Sequence, residues 1–331
     1  MLIIALLSGC GDSRLAKSHC EKIPAGAGPE DFVISKKSGY IYISSHERRL
    51  WKKQGDIYRY NPLNGEMIVM QRTGEPVDLF MAPHGMDISE ERDTLYVISH
   101  GRERNDNNHR ILAYRINGSK LVFIGQITDT SLLVSPNDLS VDTEGNLYIT
   151  NDAGKRGSYM EILSGEKASA VVFCENPEKT AGRGEVKCRK VAEGLGMANG
   201  ILAGPNHVYI AATTENRIYR FKKSSDGILS EKAAVLTGAG FDNLFWYGAS
   251  NQKILFAEHS SKTGFMLHML FGFKSPSVAG FYDIVSSERT DLFRDDGSVI
   301  SAVSGGFVYG DVLYLSQVYE NYIVACRLAD R

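Results

Sequence analysis

A short way upstream of each of six similar apolar segments, the chain carries oxygen-bearing or imidazole side chains in one repeating phase. They are Glu30-Asp31, His84-Gly85-Met86-Asp87, Asn137-Asp138, Asn199-Gly200, Asp242-Asn243 and the stretch from Ser301 to Ser304. One Asn-Asp or Asp-Asn pair is ordinary turn chemistry. Five such groups in phase are not. A ring of Glu, Asp and Asn oxygens, with no cysteine and little histidine, suits a hard cation such as calcium. Carboxylates crowded together would also repel one another and resist desolvation, and a divalent cation removes both costs.

The elements that must position these residues are the apolar segments themselves. They recur at Tyr42, Tyr96, Tyr148, Tyr209, Phe256 and Tyr314, a period of roughly 45 to 60 residues, which is the range of propeller blades. The clearest copy spans 135–152. Leu139 and Val141 alternate with polar neighbours, Thr143-Glu144-Gly145-Asn146 is turn chemistry, and Leu147, Tyr148 and Ile149 form a second strand. In such an antiparallel hairpin Asn137 and Asp138 lie beside Asn151 and Asp152 at one sheet edge. The spacing predicts an all-β protein, a six-bladed β-propeller of four-stranded antiparallel blades around a central calcium-binding channel. Equal phase then means equal position around the ring, with the polar groups starting the innermost strands.

Composition fits one body of this kind: 331 residues, 43% hydrophobic, 33 Gly and only 9 Pro. Residues 1–19 are expected to be a lipoprotein-type leader and tether, and residues 20–331 a single propeller domain. The apolar run 1–10 is too short to span a bilayer and ends in Leu7-Ser8-Gly9-Cys10, a lipobox-like sequence that makes Cys10 a lipidation candidate. The expected location is the bacterial cell envelope, with membrane contact only through that anchor. A net charge of -2 with interspersed signs argues against nucleic acid as a partner. The remaining Cys20, Cys174, Cys188 and Cys326 are an even number in an exported chain and invite disulfides. A Cys20 to Cys326 bond would clasp the two ends of the ring, and Cys174 with Cys188 could bridge a hairpin; free thiols are the alternative.

Gly28-Pro29-Glu30-Asp31, Pro83-His84-Gly85-Met86, Pro136-Asn137-Asp138, Ala198-Asn199-Gly200 and Phe241-Asp242-Asn243, with His100 after the second repeated strand, resemble the metal-site motifs of the serum paraoxonase (arylesterase) family. The wider superfamily includes gluconolactonase and regucalcin-like (SMP-30) propellers. The resemblance implies a hydrolase with two calcium ions. Glu30, Asn137, Asn199, Asp242 and Asn243 would hold the catalytic ion, and Asp31, Asp138 and the Met86 carbonyl a deeper structural one. It also implies a terminal disulfide between Cys20 and Cys326. Charge accounting agrees, since Glu30 with Asp242, and Asp31 with Asp138, each supply two negative charges.

The resemblance further implies that His84, assisted by His100, deprotonates the attacking water, with Asp242 as an alternative base or nucleophile. His259 is a candidate for the substrate pocket; His19, His46, His109, His207 and His268 carry no pattern. Loops 45–56, containing Trp51, and 101–110 should shape specificity. The run from Phe265 to Phe271 reads as a core strand before it reads as an acyl-chain wall. No Gly-x-Ser-x-Gly elbow, His-Glu-x-x-His or phosphate loop occurs. The expected activity is calcium-dependent hydrolysis of small-molecule lactones and aryl esters. The alternatives are a gluconolactonase-like sugar lactonase and a non-catalytic, calcium-stabilised binding propeller. Oligomeric state is not encoded in any of these features.

Overall fold

The computed structural model describes residues 20–157, 159–180, 186–248 and 251–328. The leader, the lipobox and Cys10 lie outside the described residues. Six sheets stand around a channel. Their innermost strands are β2 (Pro29–Ile34), β7 (Pro83–Ser89), β11 (Pro136–Val141), β15 (Ala198–Ala203), β19 (Gly240–Trp246) and β23 (Val303–Tyr309). Each pairs antiparallel with a second strand: β3 (Ile41–Ser45), β8 (Thr94–Ser99), β12 (Leu147–Asn151), β16 (His207–Ala212), β20 (Lys253–His259) and β24 (Val312–Gln317).

The second strands are the six apolar repeats. All of their repeated aromatics, Tyr42, Tyr96, Tyr148, Tyr209, Phe256 and Tyr314, are buried. These strands are covered on both faces, by the blades before and after, which is why they read as nearly unbroken apolar runs rather than as strict alternation. Tyr148, for example, packs edge-on against Phe173, and Phe256 against Phe241.

Two outer strands complete each blade. They are β4 (Asp56–Tyr60) and β5 (Met67–Val69), β9 (Arg110–Asn117) and β10 (Lys120–Ile127), β13 (Ser169–Cys174) and β14 (Cys188–Leu195), β17 (Arg217–Lys223) and β18 (Leu229–Thr237), and β21 (Ser277–Asp283) and β22 (Arg289–Asp295). One blade departs from four strands, because β6 (Gln71–Thr73) adds to β10 in parallel. The sixth blade is built from both ends of the chain, with β1 (Cys20–Pro24) pairing β25 (Tyr322–Arg327) in the order β1-β25-β24-β23.

Both disulfides form across paired strands. Cys20 and Cys326 are register partners in β1 and β25, and Cys174 and Cys188 in β13 and β14. Two disulfides mark a chain that folds in an oxidising setting, extracellular or periplasmic. Among the described residues no helix is long and apolar enough to cross a membrane.

The run Phe265 to Phe271 is not a core strand. It belongs to a helix, Lys262–Phe271, started by the Ser261 hydroxyl, which accepts from the Gly264 N–H at 3.0 Å, and stopped by Gly272 at φ 74°. The cap residues and a period-3.6 burial pattern won over the apolar content. Two shorter helices, Tyr159–Ser164 and Pro177–Thr180, sit in loops.

The Cys20–Cys326 bond spans 306 residues of sequence, so it restricts the unfolded chain far more than the local Cys174–Cys188 bond. Replacing both Cys20 and Cys326 by Ser should cost about 4 kcal/mol, measured by denaturant unfolding. The corresponding Cys174 and Cys188 double variant should lose about 3 kcal/mol or less.

Candidate active site

Each innermost strand is irregular at the same level of the channel. Its pairing slips between Pro29 and Asp31, Pro83 and Met86, Pro136 and Leu139, Ala198 and Ile201, Phe241 and Leu244, and Val303 and Gly305. The residues inside these slips are Glu30, His84-Gly85, Asn137-Asp138, Asn199-Gly200, Asp242-Asn243 and Ser304. A bulge sets two residues against one and breaks the two-residue alternation of faces. Consequently both members of a pair stay on the channel side: Asn137 lines the upper cleft and Asp138 the lower cavity. Plain alternation would have sent one of them into a neighbouring blade.

The bulges also press adjacent backbones together. A Cβ on Gly85 would lie 2.5 Å from the Asn137 carbonyl oxygen, and one on Gly200 would lie 2.4 Å from that of Asp242. Only glycine fits there.

At the upper end, Glu30, Asn137, Asn199 and Asp242 line a cleft of about 200 Å³ that His84 also reaches. Asn243 lies behind them, its amide donating to Glu30 Oε1 at 3.0 Å. Four buried oxygens here lack a hydrogen-bond partner: Glu30 Oε2, Asn137 Oδ1, Asn199 Oδ1 and Asn243 Oδ1. Buried oxygens left unpaired are costly, and one carboxylate and three amide oxygens left so beside the Asp242 carboxylate suit a hard cation. Burial pushes the Glu30 carboxyl up to about 7, with Asp242 adding to the rise and Arg48 opposing it.

Deeper in the channel, Asp31, Met86 and Asp138 line a second cavity of about 350 Å³ that opens at the opposite end. Burial and their mutual repulsion hold Asp31 well above the usual carboxylate range, and burial does the same to Asp138. These oxygens differ from the upper set, because each accepts one main-chain N–H. Asp31 accepts from Phe32 at 2.8 Å and Met86 at 2.7 Å, and Asp138 from Leu139 at 2.7 Å and Ile201 at 2.9 Å. A carboxylate oxygen has a second lone pair to give, so a cation also fits here, on charge grounds rather than on orphaned atoms. Among the described residues no three His, Cys, Asp or Glu side chains come together as ligands; both candidate sets depend on amide or main-chain oxygens.

His84 and His100 meet, Nδ1 to Nε2, at 2.7 Å, and His84 Nε2 is 3.5 Å from Glu30 Oε2. Burial, followed by the charges of Arg48 and Arg156 at His84 and of Arg156 at His100, holds both rings well below the usual histidine range. Both rings are therefore neutral at pH 7. His259 is placed differently from a cleft wall: its Nε2 sits 2.8 Å from Asp242 Oδ2 and its ring stacks on Phe265 at 4.1 Å. It backs the cleft while Phe265 lines it.

Sequence reasoning missed several residues. His109, set aside as patternless, extends the histidine pair, its Nδ1 lying 3.1 Å from His100 Nδ1. The signal was available in the hairpin register, since Ser99 pairs with Arg110 and the flanking His100 and His109 therefore face each other. His46 packs edge-on against Trp51 at 4.5 Å, and Trp51 in turn donates to the Gly101 carbonyl at 3.2 Å beside His100. Arg48, Arg104 and Arg156, from three different loops, line the cleft; nothing local in their sequence surroundings points to that convergence.

Fold and geometry define a six-bladed propeller whose channel gathers carboxylate and amide oxygens beside a histidine pair. The arylesterase family model matches residues 27–328, and the chain belongs to that family. This is the esterase and lactonase type of propeller. No curated protein sequence matches the chain significantly. Among solved structures, a luciferin-regenerating enzyme is similar at TM-score 0.58 and 12% identity over 93% of this chain and 94% of its own. A protein described as a gluconolactonase gives 0.57 and 12% over 95% and 94%. A chain of a nidogen/laminin complex gives 0.53 and 13% over 84% and 93%. At these identities the three structures speak to the fold alone.

Because a Cβ at Gly200 would strike main chain rather than a movable side chain, Gly200→Ala should destabilise by about 1–3 kcal/mol. Gly125→Ala, which meets nothing within 4 Å, should stay within about 0.5 kcal/mol. Denaturant unfolding of the two variants side by side checks the contrast.

Proposed function

We propose that the protein is a calcium-dependent hydrolase of lactones and aryl esters. The observation that carries the reading is the set of unpartnered oxygens from Glu30, Asn137 and Asn199, in a cleft shared with Asp242 and His84, and from Asn243 just behind it. Glu30, Asn137, Asn199, Asp242 and Asn243 would hold one calcium ion, and Asp31, Asp138 and the Met86 carbonyl another. Bound in the upper ring, calcium supplies Lewis acidity toward the carbonyl and its developing oxyanion.

The proton work falls to the histidines. For His84 Nε2 to accept a proton from water, its Nδ1 must carry the hydrogen and donate to His100 Nε2. His100 then donates from Nδ1 to His109 Nδ1. The hydrogen bonds run away from the cleft in one direction and leave the lone pair of His84 Nε2 facing it. Burial favours this neutral form in the resting site. The imidazolium formed on proton transfer faces Glu30 Oε2, and microscopic reversal returns the proton to the leaving oxygen. The cleft walls contributed by Trp51, Phe265, Met269 and Val318 give the acyl or aryl group an apolar place. The buried His259–Asp242 contact favours a second assignment, in which Asp242 is the base and His259 orients it.

Residues 1–19 act, in this proposal, as a leader that ends in lipidation of Cys10 and tethers the enzyme to the cell envelope. Incorporation of labelled palmitate, lost in Cys10→Ala, would test that.

Purified protein lacking residues 1–19 should hydrolyse phenyl acetate and a medium-chain lactone, lose the activity to excess chelator and regain it with calcium. Turnover of sugar lactones alone would favour the gluconolactonase-like alternative. No turnover, with calcium still raising the melting temperature, would favour a structural ion in a binding propeller. His84→Gln should lower kcat by about 100-fold or more while keeping the calcium-induced rise in melting temperature; activity near wild type would move the base role to Asp242.

A further inference from the structure

The two halves of an ester extend from the scissile carbonyl in different directions, and the upper cleft offers them unlike walls on opposite sides. The inner strands touch in sequence around the ring, β2, β7, β11, β15, β19, β23 and back to β2. The second and fifth blades therefore face each other across the channel. His84 stands on β7, with His100 just past β8 of the same blade. Asp242 stands on β19 and His259 ends β20, both in the fifth blade.

Each side has its own cover. Over the second blade lies Trp51, from the loop after β3. Its indole donates to the Gly101 carbonyl at 3.2 Å, its ring centre is 5.8 Å from that of His100, and it lines the cleft. Its backbone is at φ 55°, a conformation that bulky side chains rarely adopt and that costs stability. The fold holds the indole beside the histidine pair despite that cost. Over the fifth blade lies the helix Lys262–Phe271. Phe265 and Met269, one turn apart on it, line the cleft, and Phe265 stacks on His259 at 4.1 Å. Arg49 clamps the end of the helix by donating to the carbonyls of His268 at 2.7 Å and Met269 at 2.9 Å.

The path of the proton assigns the halves. In the proposed mechanism the water oxygen bonds to the carbonyl carbon, the bond from that carbon to the leaving oxygen breaks, and the proton that His84 took from the water passes to that oxygen. The leaving oxygen must therefore come within reach of His84, which puts the alcohol half on the second-blade side. The acyl substituent of the carbonyl carbon then points toward the fifth blade.

We infer that Trp51 is the wall for the leaving group, suited by its flat π face to an aryl alcohol, and that Phe265 and Met269 are the wall for the acyl chain. In a lactone the same two halves are joined in one ring. This rests on the hydrolase reading with His84 as the base, and the test separates the two.

The halves can be varied one at a time. 2-Naphthyl acetate against phenyl acetate changes the leaving group alone, and phenyl hexanoate against phenyl acetate changes the acyl chain alone. Trp51→Ala should cut the first kcat/KM ratio about threefold or more and leave the second within about twofold. Phe265→Ala should shift the second ratio about threefold or more and leave the first within about twofold. Trp51→Phe should keep most of the first ratio. Ratios read within each variant cancel any loss of correctly folded enzyme. Any other pattern would overturn the inference, the reversed one in favour of Asp242 as the base. If no ester is turned over, the hydrolase reading fails first. Phenol quenching the tryptophan fluorescence of wild type but not of Trp51→Phe, with hexanamide leaving the emission unchanged, would then still place an aryl group against Trp51, and any other response would overturn that placement.

Discussion

Channel carboxylates peg three successive blades each to the next, and the channel's geometry depends on those contacts. Asp31, Asp87 and Asp138 repeat one arrangement. One oxygen accepts from the next N–H of the same strand, and the other from a main-chain N–H of the following blade: Met86 for Asp31, Val141 for Asp87 and Ile201 for Asp138. Around the rest of the ring hydroxyls take over, with Thr150 donating to the Asn199 carbonyl, Thr213 to that of Phe241, Ser304 and Ser316 to that of Glu30, and Ser277 accepting from the Val303 N–H. The sheets of neighbouring blades share no ladder hydrogen bonds, so these polar pegs help set the angle and height of the inner strands. Asp31 and Asp138 are also candidate ligands. Candidate site and scaffold are therefore one structure, and the burial that makes Asp31, Asp138 and Asp87 weaker acids than usual ties its stability to whatever neutralises them.

The ring itself was legible in the sequence because its units are local. A hairpin such as 136–151 declares itself through alternation and a turn, and six aromatic repeats in one phase force closure. The positions of Glu30, His84, Asn137, Asn199 and Asp242 followed from that phase without any contact being known. The bulges were not legible, since a register slip leaves the composition of both strands unchanged; the pairs at Asn137 and Asp242 could be placed at the channel, but not the reason both members face it. The helix Lys262–Phe271 was misread because an apolar run looks the same in a buried strand and in a helix lining a cleft, and the deciding residues, Ser261 and Gly272, stand outside it. Arg104 and Arg156 were invisible for a different reason. Long side chains on separate loops meet only after the blades have fixed the loops.

The positive rim sets a constraint on the histidines that the rest of the cleft must answer. In the proposed mechanism His84 is the base, and a ring held mostly out of water near guanidinium groups stays neutral, which readies it to accept a proton but lowers its strength. The geometry offsets this in two ways. Glu30 Oε2, 3.5 Å from His84 Nε2, lies where the new charge would form, and the negative charge left on it beside a bound cation would favour the imidazolium only once the proton moves. The chain His84, His100, His109 lets the charge polarise neighbouring rings instead of resting on one. Stabilisation that exists only in the charged state lowers a barrier, whereas a permanently raised basicity would leave the ring protonated and idle. On the proposed mechanism the arrangement keeps the base available, and it gives the second and third histidines a part beside the first.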